Sequence, residues 1–337
     1  MKPLSSIRVV EFAGLGPGPF AAMMLADMGA EVIRIERAGA GRGGLAFLER
    51  EREIRHLDLK SETGIAAALD LLATADVLIE GYRPGVMERL GLGPDAVFAV
   101  APRLVYGRMT GWGQSGPLAQ EPGHDLNYLA VSGLLSTMGS RDRPPPPPLN
   151  LVGDYGGGGM YLAFGIVAAL HEVRRNGRGV VVDAAMVDGI GSLATLIHGL
   201  RGTGAWHDGR EANFLDGGAP FYRCYATADG RHVSIAAIEP QFFANLVAAL
   251  DLPRDLLARQ WDRAGWPTLT RDLEAIFAGA TLAAWCERLT GREICFAPVL
   301  TIAEAVDHPH ARARDMFRPT LGLTLPAPAP RLSPAPA

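Results

Sequence analysis

Residues 7–12, IRVVEF, are a short apolar run, and residues 31–36, EVIRIE, are another. Between them lie a Gly/Pro turn from Gly14 to Pro19 and the helical pattern Phe20–Met28. Two buried strands separated by a helix form a βαβ unit, because parallel strands need a crossover and a helix is the usual one. The pattern then repeats: a helix over 62–73, a strand over 76–80 (DVLIE), a short helix over 84–90 and a strand over 103–109 (RLVYGRM). Such alternation predicts an α/β chain whose first part builds half of a doubly wound parallel sheet.

The strand-to-helix turn holds Gly16-x-Gly18, where a dinucleotide fingerprint would sit. Ala21 and Ala22 stand where the third glycine is needed, and two prolines interrupt the motif. A tight turn is the better reading than a nicotinamide or flavin site.

The rest of the chain divides by pattern. Residues 39–57 are Gly-rich and then charged, as in a surface loop, and Pro144–Pro148 is a stiff polyproline connection. Strand-like Leu149–Val152 leads to Asp154, and Gly156–Gly159 open a long apolar helix to about Val173. A strand over 179–184 and a helix over 186–201 complete a large first domain, 1–201. Residues 202–218 are polar and Gly-rich and read as a linker. Beyond them come strands at 221–227 and 231–237, helices near 240–250, 270–278 and 281–289, and a strand at 294–299. These predict a smaller α+β domain over 219–310. Residues 311–337 carry too little pattern for a domain of their own and are expected to return to the first.

A chain of 337 residues is long enough for two domains, and 48% apolar residues supply the core. A net charge of −4 gives no support to a nucleic-acid partner. No apolar run is long enough to span a membrane. Met1-Lys2-Pro3-Leu4 lacks the apolar run of a signal peptide, and the C-terminus is not a peroxisomal tripeptide. Cys224, Cys286 and Cys295 fit neither a disulfide framework nor a zinc site, so buried, reduced thiols in a cytoplasmic protein are expected, with no metal.

Three residues at element junctions are acid–base candidates: His124 before an apolar helix, Asp154 before the four glycines, and Glu239 before Pro240 and a helix. In open α/β sheets ligands bind at such junctions. Each has a plain alternative as a helix cap or a first-turn acid, and Asp125 is as good a cap as His124. The glycines add weight to Asp154. Glycine in a helix costs up to about 1 kcal/mol relative to alanine, so something bulky is expected to come close to that backbone, with close helix packing as the alternative. Free N–H groups there would also suit a developing oxyanion. Basic residues recur after strands: Arg34, Arg37, Lys60, Arg83 and Arg89. Residues at the carboxyl ends of successive strands can converge on a polyanion. Met109 and Met186 are either a plastic apolar surface or core.

The segments VVEFAGLGPGPFAAMMLADMGAEVIRIER, DLKSETG, DVLIEGYRPGVMERLGLG, GHDLNYLAVSG, NLVGDYGGGGMYL and NFLDGGAPFYRCYATADG occur in order across nearly the whole chain. In them the sequence resembles the family III CoA-transferases, and within these the α-methylacyl-CoA racemases. The resemblance implies a Rossmann-like large domain with a smaller α+β domain, an interlocked homodimer, and an active site shared between chains. It implies Asp154 and His124 as acid–base groups and Glu239 as the partner of that histidine. It further implies Arg37, Lys60, Arg83 and Arg89, with Leu59 and Tyr128, as the groups that hold coenzyme A. Coenzyme A is then part of an acyl-CoA substrate, and no separate cofactor is expected. Two departures stand out: Tyr155 follows Asp154 where the family has Phe, and Glu51-Arg52-Glu53 brings acids into a more basic stretch.

The chemistry favours a racemase. Removing a thioester α-proton needs a positioned base, and inversion needs one group on each face of the planar enolate. His124 and Asp154 fill those roles, while Glu239 would orient His124 and stabilise its cation, as an aspartate does in a serine-protease triad. A CoA-transferase passing through an anhydride on Asp154 is the alternative, and it needs neither His124 nor Glu239. A fold that binds acyl-CoA without chemistry is the non-enzymatic one.

Overall fold

The computed structural model describes residues 1–39 and 46–335. The chain forms two compact units. One comprises 1–135, 147–196 and the C-terminal segment from 315, and the other comprises 136–146 and 197–314. Residues 202–218, read above as a linker, fall inside the second unit. Asn213 and Asp216 tie that stretch together, with Asn213 Nδ2 donating to the His207 carbonyl at 3.0 Å and to Asp216 Oδ2 at 2.8 Å. The polyproline approach, 136–146, is held to the same unit by Arg210, whose guanidinium donates to the carbonyls of Ser140 and Arg143.

The first unit is built on a six-stranded sheet: β1 (Arg8–Phe12), β2 (Glu31–Glu36), β3 (Arg52–His56), β4 (Val77–Glu80), β5 (Val105–Thr110) and β6 (Val180–Ala185). All pairings are parallel, in the order β3-β2-β1-β4-β5-β6. Central strands read as unbroken apolar runs because helices cover both faces. On one face α2 (Glu62–Leu72), α3 (Val86–Arg89) and α4 (Pro94–Val100) close a core around Phe12, Leu78, Met87 and Tyr106. The Tyr106 hydroxyl is satisfied there by the Leu92 carbonyl at 2.8 Å. Among the elements away from that core are α1 (Pro17–Asp27), α5 (Asp125–Val131), α6 (Tyr161–Asn176) and α7 (Met186–Leu193).

Three segments differ from the sequence expectation. Residues 52–56 are an edge strand rather than loop. Its side chains are charged or partly exposed, as suits a sheet edge, and that hides it from an apolar-pattern search. Residues 151–160 are not strand and α-helix but a π-helix, with the Tyr155 N–H donating to the carbonyl of Asn150, five residues back. After α8 (Thr195–Gly202) and the second unit, β10 (Phe317–Thr320) and β11 (Leu323–Pro326) form a hairpin. Leu321 and Gly322 at its tip both take positive φ, the two-residue geometry that matches strand twist.

The second unit holds an antiparallel sheet of β7 (Tyr222–Ala226), β8 (His232–Ala236) and β9 (Phe296–Pro298). Helices α9 (Pro240–Ala249), α10 (Trp266–Phe277) and α11 (Leu282–Leu289) pack about an aromatic core that includes Phe221, Phe243, Phe277 and Trp285. Short helices α12 (Ile302–Asp307) and α13 (Pro309–Ala313) end it. The three cysteines are free, but Cys224 and Cys295 are exposed, not buried. Cys224 lies on the outer face of this sheet, opposite the side on which Tyr225 and Val233 enter the core. Among the described residues no helix is long and apolar enough to cross a membrane.

Candidate active site

The strand order reverses between β1 and β4, and the crevice outside the carboxyl ends of strands at such a point is where open α/β sheets take ligands. β1 ends at Phe12 and turns through Gly16 into α1. Gly16 has φ +68°, which favours glycine, and a Cβ there would stand 3.1 Å from Asp154 Oδ2. Asp154 therefore lies directly over the β1–α1 turn. Pro17 and Pro19, which have no N–H, fill the first and third positions of α1. A pyrophosphate in a dinucleotide pose would meet a helix start short of two donors and a carboxylate in its place, which speaks against a nicotinamide site at this turn.

Asp154 is carried by the π-helix, and the glycines explain how that segment fits. A Cβ on Gly157 would stand 2.9 Å from Ile190 of α7, and one on Gly159 would stand 2.7 Å from Phe20 of α1. Gly189 of α7 returns the constraint, since a Cβ there would meet the Gly157 carbonyl at 1.8 Å. What approaches the glycine backbone is thus α1 and α7, and Met186 is part of that packing; Met109 is likewise buried. Tyr155 stacks on Phe20, with ring centroids 4.2 Å apart.

His124 is the exposed residue that begins α5, its main-chain N–H donating to Asn127 Oδ1 at 3.0 Å. Asp125, next in the chain, is buried, and its Oδ1 accepts the main-chain N–H of Asp154 at 2.6 Å. That one hydrogen bond joins the start of α5 to the π-helix and brings His124 and Asp154 together. Burial is the largest influence on the Asp154 carboxyl and, with the charge of Asp125, pushes its pKa up. The Asn150 side chain and His124 pull it down by less. Tyr128 packs edge-on against Trp112 and donates its hydroxyl to the Gly123 carbonyl at 2.5 Å. Burial and the nearby Asp154 raise its phenol pKa.

The basic residues divide. Arg34 is buried and pairs with Glu11 at 2.6 Å, Glu49 at 3.2 Å and Glu36 at 3.5 Å, so it is committed to the interior. Arg52 is also spent there, pairing with Glu11 at 2.9 Å. Arg37, Lys60, Arg83 and Arg89 are exposed, and among the described residues none of the four forms an ion pair with another. Arg37 follows β2, Lys60 follows β3, and Arg83 and Arg89 follow β4, so parallel pairing brings all four to the carboxyl edge of the sheet. Leu59 is half-buried against the α2 core.

Sequence reasoning missed the bracing of this edge. Arg108 reaches Glu80 at 3.0 Å and Glu88 at 2.9 Å, and Glu80 Oε2 accepts the Tyr82 N–H at 2.8 Å, which fixes the loop bearing Arg83. Glu80 alone in DVLIE looks like a strand-ending charge. Its partner Arg108 comes from β5, and the other acid on Arg108, Glu88, comes from α3, so no local spacing links them. Glu239 belongs to the second unit, where it is exposed at the start of α9 near Cys295. No group of three or more His, Cys, Asp or Glu among the described residues is placed to hold a metal ion.

Fold and site together define a doubly wound α/β protein with the Asp154 carboxyl over its β1–α1 turn. The chain belongs to CoA-transferase family III, whose model matches residues 4–336. It is 47% identical over 336 residues to an alpha-methylacyl-CoA racemase of Mus musculus, covering 99% of this chain and 87% of that one. It is 44% identical over 335 residues to an alpha-methylacyl-CoA racemase of Homo sapiens, with the same two coverages. Among solved structures it resembles a hypothetical protein of Mycobacterium tuberculosis with a TM-score of 0.84 at 30% identity, covering 99% of this chain and 93% of that one.

Proposed function

We propose that this chain is a racemase of 2-methylacyl-CoA thioesters. Its chemistry would be removal of the α-proton on one face and return of a proton on the other, through an enolate. The observation that supports this reading is the hydrogen bond from Asp154 N to Asp125, which ties the start of α5, next to His124, to the π-helix that bears a carboxyl of raised pKa. The identity to two proteins that bear the racemase name adds to it. A carboxyl pushed above its ordinary value is a better match to proton transfer near neutral pH than a free aspartate. In one direction Asp154 takes the proton and His124 gives one back; in the other the roles exchange. Glu239 orients His124, in a homodimer whose site is shared between chains.

Arg37, Lys60, Arg83 and Arg89 hold the phosphates and nucleotide of coenzyme A, with Leu59 and Tyr128 lining the approach. The enzyme uses no cofactor beyond the coenzyme A of its substrate, and it works in the cytoplasm on branched-chain lipid thioesters. The deciding experiment is incubation with one enantiomer of a 2-methylacyl-CoA in deuterated water, with no free acid present. Deuterium at the α-carbon together with inversion is the expected result. Absence of both, with acyl-CoA exchange appearing when a free acid is added, would make the protein a transferase.

A further inference from the structure

We infer that Asp125 is a positioning residue for the Asp154 acid–base group: its carboxylate clamps the Asp154 main-chain N–H and sets a second, buried negative charge beside that group. The inference rests on Asp154 being the group that moves the proton. An acid in the first turn of a helix ordinarily faces solvent and complements the helix dipole. Asp125 instead is 7% exposed and is turned onto another segment. Its Oδ1 accepts from Asp154 N at 2.6 Å, while its Oδ2 is buried with no hydrogen-bond partner.

The neighbouring backbone is shaped to admit it, because a Cβ on Gly153 would stand 2.4 Å from Asp125 Oδ1. An asparagine or a serine would supply the same acceptor without burying an unsatisfied charged oxygen, which is a costly thing to keep. The charge is therefore the part of Asp125 that the hydrogen bond does not account for. It meets little that offsets it. On α5 the other groups facing Asp154 are His124 and Tyr128, with Arg83 beyond Tyr128, and Asn150 bonds Asp154 from the π-helix side. From α1 and α7 the packed residues are Gly16, Pro17, Phe20, Met186 and Ile190, none of them titratable. The like charge of Asp125 adds to the effect of burial and holds the Asp154 carboxyl above the ordinary carboxylate range. A structural clamp has thereby become a setting for proton transfer.

Asp125→Asn keeps the acceptor and the shape and removes the charge; Asp125→Ser is the second variant should the first not fold. The measurement is carbon NMR of carboxyl-labelled aspartate, with the Asp154 resonance assigned by its loss in Asp154→Asn, alongside the pH profile of racemisation. The Asp154 midpoint and the corresponding limb of kcat/KM should both move to lower pH in Asp125→Asn. A midpoint that stays in place overturns the inference, whatever happens to the rate. A midpoint that moves while the rate profile does not would uphold the coupling and remove Asp154 from the chemistry, so the two failures are distinct.

Discussion

Glu11 and Asp154 are both carboxylates of the first unit, and their surroundings differ in kind. Glu11, the penultimate residue of β1, lies between two buried guanidiniums, Arg34 and Arg52. Asp154 has another carboxylate as its close charged neighbour, offset only by His124 and an asparagine. The first arrangement compensates charge and joins three strands, since its members come from β1, β2 and β3. The second leaves charge largely uncompensated at the mouth of the sheet. A buried acid with cationic partners is holding the fold together; a half-buried acid without them is available for chemistry.

Substitutions should separate the two. The largest effect belongs to the site: Asp154→Asn and His124→Ala should each lower racemisation by about 10²–10⁴-fold, as loss of an essential acid or base does, checked by polarimetric or chiral chromatographic rates. Glu11→Ala should deprive buried Arg52 of its carboxylate partner and Arg34 of one of its three acids, and cost on the order of 3–5 kcal/mol in stability, measured by urea denaturation. An equal cost from Asp154→Asn would erase the distinction.

The same contrast runs within one strand end. Arg34 and Arg37 are three residues apart, yet one is buried among acids and the other is exposed. Arg37→Ala and Arg83→Ala should each weaken coenzyme A binding by about 1.5–3 kcal/mol, the worth of a charge-assisted hydrogen bond, with little change in stability. Calorimetric titration that finds both affinities unchanged would remove these residues from the ligand.

The smallest effect is the most pointed. The Asp154 carboxyl has a folded pKa raised above the ordinary 3.8, so the stability tied to its protonated form is present below that value. That stability is lost as pH rises through the folded pKa. As the pH rises the wild-type chain must carry this charge, half-buried, beside Asp125. Asp154→Asn should therefore melt at a higher temperature than wild type at pH 8, with the gain shrinking toward pH 4. A lower melting temperature at pH 8 would mean that the carboxylate is stabilised by its partners and is a structural group.

How much of this could be read from the sequence follows the physics of each element. β1, β2, β4 and β5 announce themselves because both faces of a central parallel strand are buried. The edge strand β3 does not, because its charges suit an edge as well as a loop. The π-helix was invisible because the glycines answer to α1 and α7, elements far from them in sequence. The β10–β11 turn was missed because Leu321 occupies a positive-φ position where asparagine or glycine would have been the signal. His124 and Asp154 were legible as junction residues. Asp125 was legible only as a possible cap, since its hydrogen bond to Asp154 spans 29 residues. Arg34 looks like Arg37 in the sequence because its committed state depends on Glu11, 23 residues away on a neighbouring strand.

Enantiomer-resolved deuterium exchange in the two single variants tests the central claim most directly. Each enantiomer of a 2-methylacyl-CoA is incubated in deuterated water with His124→Ala and with Asp154→Asn, and α-deuteration and inversion are read separately. If His124 and Asp154 serve opposite faces, neither variant inverts configuration, and any exchange that persists does so on opposite enantiomers in the two. Full racemisation by Asp154→Asn, or exchange persisting on the same enantiomer in both, would contradict the two-base account.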